Sequence, residues 1–356
     1  MPAIDGLFEA VVRDGASDLH LHAGRVPYYR VNGSLIPIPR QRALTEAGLV
    51  SMLYELCPPN RWESFGDTGD LDFAYAWRDG LRFRVNYRLS REGCGAVFRL
   101  IPNKIQTLEA IGAPPAMKQF ALFRSGLVLV TGPTGSGKST TLAALIDYIN
   151  STERRFILTI EDPIEFIHTN KESTISQREV GTDVESFSAA LRNAVRQDVQ
   201  VVLVGEMRDL ETVRLAITAA EMGMLVYATM HTNSAIKTID RIVDIFPADE
   251  QSNMRESLAT CLRAVCSQRL LKRADGRGRI AAHEILIQTP AVSNLIRESK
   301  TIQINQVILS NRAMGMQLLD DQLLMLVRSG VITGEDAYRK ADNKEPFREF
   351  APEGRL

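Results

Sequence analysis

Apolar and polar residues alternate in short stretches over the first hundred positions, and the pattern changes character after that. "SDLHLHAG", "VPYYRVNGSLIPI", "DLDFAYAW" and "LRFRVNYRL" are period-two runs, some separated by Asn-Gly or Asp-Gly, and they predict an antiparallel sheet with hairpins. Helical periods near residues 4 to 14 and 45 to 56 make this region α+β. Farther on, continuous apolar runs alternate with helical segments. The order is "GLVLVT", a helix from Lys138, "RFILTI", a helix around 186 to 197, "VVLVG", a helix from 209 to 222, and "LVYATM". Strands apolar on both faces and separated by helices predict a parallel sheet covered on both sides, an α/β domain. From about residue 234 the pattern reads as mainly helical and ends in a polar tail.

Between these regions, Pro102, "NKIQTLEAIGAPPAM" and the Pro114-Pro115 pair are rich in breakers. They place a linker at 102 to 112, with one domain over 1–101 and another over 113–356. Lysine usage changes at the same place, since residues 1 to 100 hold twelve arginines and no lysine, the first being Lys104.

Composition narrows the function. At 356 residues the chain is long enough for two cores. A net charge of -1 supplies no overall field for nucleic acid or acidic lipid. Cys57, Cys94, Cys261 and Cys266 form no C-x-x-C pair, so they read as reduced packing residues. "MPAIDGLFEAVVRDG" has acids where a signal peptide needs positive charge, and no run reaches 18 apolar residues, so neither export nor direct membrane insertion is expected.

Candidate chemistry centres on Gly132, Pro133, Thr134, Gly135, Ser136, Gly137, Lys138 and Ser139, which fit G-x-x-x-x-G-K-[ST] without mismatch. The loop follows a strand and opens a helix. Its glycines let backbone N–H groups converge on phosphate, Lys138 neutralises β/γ charge, and Ser139 is placed to ligate Mg²⁺, with Thr140 completing the nucleotide-binding set. ATP is the expected substrate and Mg²⁺ the expected cofactor. "VVLVGEMRD" ends an apolar strand in Glu206, and "RFILTI" ends in Glu161, Asp162 and Glu165. Two carboxylates from neighbouring strands suit a division of labour: Glu161 activates water and Glu206 steers the metal through a bridging water, with the reverse assignment left open.

His231 follows the strand "LVYATM" and is read as a sensor of the γ-phosphate. His20 and His22 share a strand face, a spacing that permits chelation but brings no further ligands. Arg82, Arg84, Arg88, Arg91 and Arg99 lack the interleaved aromatics of a single-strand nucleic-acid track. They are either a solvated face or a source of arginine fingers.

The chain resembles the type IV pilus retraction motors of the PilT type, within the secretion-ATPase superfamily. The resemblance is carried by "RFRVN", "AVFRLIP", "GPTGSGKSTTLAALID", "ILTIEDPIEFIH", "SQREVG", "VLVGEMRDLETVRLAITAAE", "ATMHTNSAIKTIDRIVDIFP" and "AAHEIL". It implies a PAS-like N-terminal domain, a RecA-like ATPase domain with a helical C-terminal part, and a homohexamer with ATP between domains. It also implies pilus retraction and twitching motility, with docking at the inner-membrane base of the pilus machine, on the cytoplasmic side, through its platform protein. Arg84 and Arg99 match the arginines that reach the nucleotide in that family. Two departures stand out: Val199-Gln200 where the family has Pro-Asp after an Asp, and Met224 where it has a second histidine.

Assembly and type II secretion ATPases of the same superfamily are the nearest alternative. They typically carry a long extra N-terminal region, and many a tetracysteine insert; the lack of both here, and "AVSNLIRE" at 291 to 298, favour retraction. A RecA-like nucleic-acid motor fits the loop and sheet but not the neutral charge. A small-molecule kinase would need an acceptor pocket and lid that nothing in the sequence marks.

Overall fold

The computed structural model describes residues 3–31, 34–58, 60–101 and 104–351. The chain divides into two compact units, one of residues 1–104 with Pro163–Ile167 and the other of residues 105–162 with 168–356. Pro102 and Asn103 of the expected linker, and the Asn32-Gly33 pair, lie outside the described residues.

The first unit runs α1 (Asp5–Arg13), β1 (Asp18–His22), β2 (Tyr28–Val31), β3 (Ser34–Pro37), α2 (Glu46–Leu56), α3 (Trp62–Thr68), β4 (Asp70–Ala76), β5 (Arg82–Ser90) and β6 (Gly93–Ile101). Its sheet has the order β3-β2-β1-β6-β5-β4, with every neighbouring pair antiparallel. The period-two pattern does what it predicts: Phe83, Val85 and Tyr87 of β5 are buried, whereas Arg84 between them is exposed. Phe8 of α1 stacks on Phe83 with ring centroids 4.1 Å apart, and the Tyr87 hydroxyl donates to the Leu53 carbonyl of α2 at 3.0 Å. Both helices therefore cover the inward face of β5, leaving its arginines on the other face. α3 is a short helix beyond the two that the periodicity predicts.

The second unit runs α4 (Met117–Ala121), β7 (Gly126–Thr131), α5 (Lys138–Thr152), β8 (Phe156–Glu161), β9 (Thr174–Glu179), α6 (Phe187–Ala194), β10 (Val201–Val204), α7 (Leu210–Glu221), β11 (Leu225–Met230), α8 (Ala235–Asp244), α9 (Gln251–Cys261), β12 (Leu262–Lys272), β13 (Arg279–Ile287), α10 (Pro290–Arg297), α11 (Ile304–Ser310), α12 (Leu319–Arg328) and α13 (Gly334–Lys340). The sheet order is β13-β12-β7-β11-β10-β8-β9, parallel except for the β12–β13 pair. β7, β10 and β11 are buried at every residue, as expected of strands covered on both faces.

One expectation is corrected. The stretch after 234 is not mainly helical throughout, because residues 262–287 contribute the long hairpin β12–β13 that extends the sheet beyond β7. The physical reason is plain. β12 leaves α9 with no Gly or Pro between them, and Ala264, Val265, Cys266 and Ser267 are all buried, so no period-two alternation marks the change. β9, mostly polar at the sheet's edge, is a further strand that no apolar run announces. From α10 onward the chain is helical as expected.

Candidate active site at the strand ends

The loop from Gly132 to Gly137 leaves the end of β7 and enters α5. Gly132 has φ 148° and no room for a side chain, since a Cβ there would lie 2.3 Å from the Gln268 carbonyl oxygen. Gly137, at φ 90°, starts α5 without a side-chain cap. By contrast, Ser186, Asp209 and Ser234 each cap the helix they precede, so α6, α7 and α8 have a first-turn N–H already satisfied. The start of α5 keeps its donors for another acceptor, the local arrangement that favours an anion. Pro133, Thr134 and Gly135 form the exposed tip, Ser136 is buried, and Lys138, Ser139 and Thr140 are half-buried in the first turn.

Lys138 folds back over the loop, its ammonium donating to the carbonyls of Gly132 at 2.9 Å and Pro133 at 3.2 Å. It also lies 3.5 Å from His231 Nδ1. On the other side of that ring, His231 Nε2 lies 3.0 Å from Glu206 Oε1, which Arg208 Nε meets at 2.7 Å. The His231 ring bridges Lys138 and Glu206 through its two nitrogens. Lys138, His231, Glu206 and Arg208 thus form a continuous row across the ends of β7, β11 and β10. Burial pushes the Glu206 carboxyl up, but Arg208 and His231 together outweigh it and hold the group below the usual carboxylate range.

Glu161 closes β8, the strand beside β10. The Gly205 N–H donates to the Ile160 carbonyl at 2.8 Å, and a Cβ on Gly205 would lie 3.3 Å from the Glu161 Cα, so the ends of the two strands are tightly apposed. Glu161 Oε1 accepts from Thr159 Oγ1 at 2.7 Å and Gln177 Nε2 at 3.3 Å, which fixes its rotamer. Glu165, expected at the same edge, belongs to the Pro163–Ile167 segment of the first unit and faces Arg84 at 3.9 Å. β8 ends at Glu161, and Ile164 and Phe166 on either side of Glu165 are buried.

Arg84 and Arg99 are cross-strand partners on β5 and β6, facing outward side by side. Like charges directly opposite one another are unfavourable. The cost is relieved by Asp18, buried on β1, whose Oδ1 accepts from Arg99 Nε at 2.7 Å. Burial pushes the Asp18 carboxyl up, and hydrogen bonds from Ser17 and Arg99 outweigh it, leaving a net lowering. His22, on the same strand, lies 2.7 Å from Arg88 Nη2.

The whole arrangement has known relatives. A family model described as type II/IV secretion system protein matches residues 1–342. The type IV pilus retraction ATPase PilT of Pseudomonas aeruginosa is 49% identical over 337 residues, 94% of this chain and 97% of that one. The chain belongs to this family. A twitching motility protein of Neisseria gonorrhoeae is 50% identical over 321 residues, covering 90% of this chain and 85% of its own. The crystal structure of the pilus retraction motor PilT with bound ADP superposes with a TM-score of 0.89 at 42% identity, spanning 98% of this chain and 99% of the other. The kinship to retraction motors expected from the motifs is therefore met, within a secretion family whose members named here include ATPases.

Two residues of this family member's site carry little signal in the sequence. Arg208 sits two positions after Glu206 and shares its carboxylate, a proximity that the motif "GEMRD" makes available. Gln268 on β12 touches the phosphate loop from a strand that the apolar pattern does not mark. Among the described residues, no helix is long and apolar enough to cross a membrane.

Proposed function

We propose that this chain is a motor ATPase that hydrolyses ATP to retract a type IV pilus. The observation that carries the reading is the row of Lys138, His231 and Glu206 at the strand ends beside an uncapped α5, in a chain nearly half identical to a retraction ATPase along almost its full length.

In this reading the first unit is a PAS-like domain and the second a RecA-like ATPase domain. The loop N–H groups of 132–140 and the Lys138 ammonium hold the phosphates. Glu161, fixed by Thr159 and Gln177, orients the attacking water and accepts its proton. Ser139 and the deprotonated Glu206 offer the hard oxygen donors that suit Mg²⁺, Glu206 through water. The ion would supply neutralisation of phosphate charge when bound. His231 contacts both Lys138 and Glu206, so displacement of Lys138 by a γ-phosphate is passed directly to the chain entering α8. Arg84 and Arg99 supply positive charge to the transferring phosphoryl group. The working form is a homohexamer on the cytoplasmic side of the inner membrane, acting on the pilus platform protein.

The test is filament retraction in a strain deleted for the gene, complemented with wild type or with Lys138→Ala. Retraction is expected to return with the first and not the second. Restored pilus assembly without retraction would replace this reading with an assembly motor.

A further inference from the structure

We infer that Gln268 of β12 is a positioning residue for the phosphate loop, holding the Ser136–Gly137 peptide in the orientation that receives phosphate. The inference rests on the nucleotide-binding reading of residues 132–139.

The register explains how a distant strand reaches the loop. β12 runs parallel to β7 and stays paired to it up to Ser267 opposite Thr131. There β7 ends because the chain turns into the loop, while β12 continues, so its next residue, Gln268, lies alongside the loop. Gln268 is 1% exposed, and both ends of its amide are used. Nε2 donates to the Ser136 carbonyl at 2.6 Å, and Oε1 accepts from Thr141 Oγ1 at 2.9 Å. Its own carbonyl closes the space over Gly132. One residue therefore meets the loop at its entry, near its exit and in the helix that follows.

The consequence comes from peptide geometry. In a trans peptide the C=O of one residue and the N–H of the next point in opposite directions. Fixing the Ser136 carbonyl toward Gln268 aims the Gly137 N–H away from it. Gly137, at φ 90°, has no side chain to restrict that plane by itself. The exposed tip, Pro133–Gly135, bonds to this peptide only on its N-terminal side, where the Ser136 N–H donates to the Pro133 carbonyl at 3.2 Å. A loop pre-set in this way binds phosphate without first losing conformational freedom. Because phosphate is held in both ground and transition states, the effect belongs in nucleotide affinity and KM more than in kcat.

The test uses the full chain and ADP. Gln268→Met keeps the volume and removes both hydrogen bonds; its Kd for ADP is expected to rise about tenfold, with kcat at saturating ATP within about twofold of wild type. Thr141→Val removes only the Oε1 partner and is expected to raise Kd about threefold, and the double variant to be no weaker than Gln268→Met alone, because the two act through one contact. An ADP Kd within about twofold of wild type in folded Gln268→Met overturns the inference, even if its Tm has dropped, since that is the signature of packing alone. A large fall in kcat at unchanged Kd also overturns it. If Gln268→Met does not fold, an unchanged Kd in Thr141→Val has the same force. A wild-type chain that binds no ADP would defeat the nucleotide-site reading itself, whereas equal binding by wild type and Gln268→Met defeats only the role of Gln268.

Discussion

The two ends of the parallel strands in the second unit carry opposite chemistry. At the C-terminal ends of β7, β8, β10 and β11 lie the phosphate loop, Glu161, Glu206 and His231, with side chains bonded to side chains. At the N-terminal ends the connections run largely through backbone: Gly126 N–H to the Met224 carbonyl at 2.9 Å, and Leu225 N–H to the Gln200 carbonyl at 2.9 Å. The Gln200 side chain adds an acceptor for Phe156 N–H at 2.7 Å. Both departures from the family pattern, Val199-Gln200 and Met224, fall at this second end. Met224 and His231 flank the six residues of β11, so they stand about 23 Å apart at about 3.3 Å per residue.

The largest effect should come from Lys138→Ala, which is expected to abolish ATP turnover because no other side chain of the loop carries a cation. Wild-type phosphate release from the purified variant would end the assignment of the active edge. Next in size, Glu206→Ala and Glu161→Ala should each keep nucleotide binding and lose at least about tenfold in turnover, as neither is needed to dock the phosphates. A steady-state assay paired with ADP titration separates the two quantities, and normal hydrolysis in either variant removes that residue from the mechanism.

Arg84 and Arg99 test whether the edge works alone. Acting on charge that develops late, they should lower turnover more than they weaken nucleotide binding when changed singly to Ala. If they serve a neighbouring subunit's site, mixing Arg84→Ala with Lys138→Ala protomers should recover some activity, because sites with an intact loop and an intact arginine then form. No recovery would place the contact within one chain, and full activity in both single variants would reduce these arginines to a solvated pair.

Glu284 on β13 sharpens the comparison from the stability side. Its carboxylate accepts from the Ala235 N–H at 2.6 Å and so holds the start of α8, the helix that follows His231. Burial pushes this carboxyl up to about 7, opposed by the Ala235 bond and Arg269 and helped by Asp342 and Asp320. With a raised folded value, the native state keeps a proton that the unfolded chain loses between the ordinary value of 4.5 and about 7. Stability from this group is therefore present at low pH and falls as pH rises through that window. Glu284→Gln should raise the unfolding free energy at pH 8 by about 1–3 kcal/mol, seen as a higher Tm, and change it little at about pH 4. An equal change at both values would show that the carboxyl does not titrate on unfolding.

Legibility follows the same division. The phosphate loop, Glu161, Glu206 and His231 are readable because each ends an apolar run at a fixed place in an alternating strand–helix pattern. Arg84 and Arg99 are readable as outward positions on period-two strands, although their pairing with each other and with Asp18 needs the register. β12 and β13 are not readable, since residues buried on both faces carry no period. Gln268 is lost with them: a neutral side chain in an unmarked strand has no signal until its neighbours are known. Glu165, close in sequence to the strand-end acids, belongs to the segment that joins the first unit, where it faces Arg84, and its sequence position gives no sign of that.

The smallest effect should come from Met224→His, and its smallness is the point. The family's second histidine suggests a sensing role whose loss here would slow the motor. In this fold residue 224 is 7% exposed at the start of β11, its N–H bonded to the Ala219 carbonyl and its carbonyl to the Gly126 N–H. Those bonds belong to the backbone and survive the substitution. An imidazole there stands a full strand length from the phosphate loop, too far to touch nucleotide, Lys138 or Glu206. Turnover of Met224→His should therefore stay within about twofold of wild type, while a modest fall in Tm reports the polar ring replacing a buried thioether. A severalfold change in kcat with unaltered Tm would mean that the two edges are coupled through β11, and that the separation between a chemical and a structural end of the sheet is incomplete.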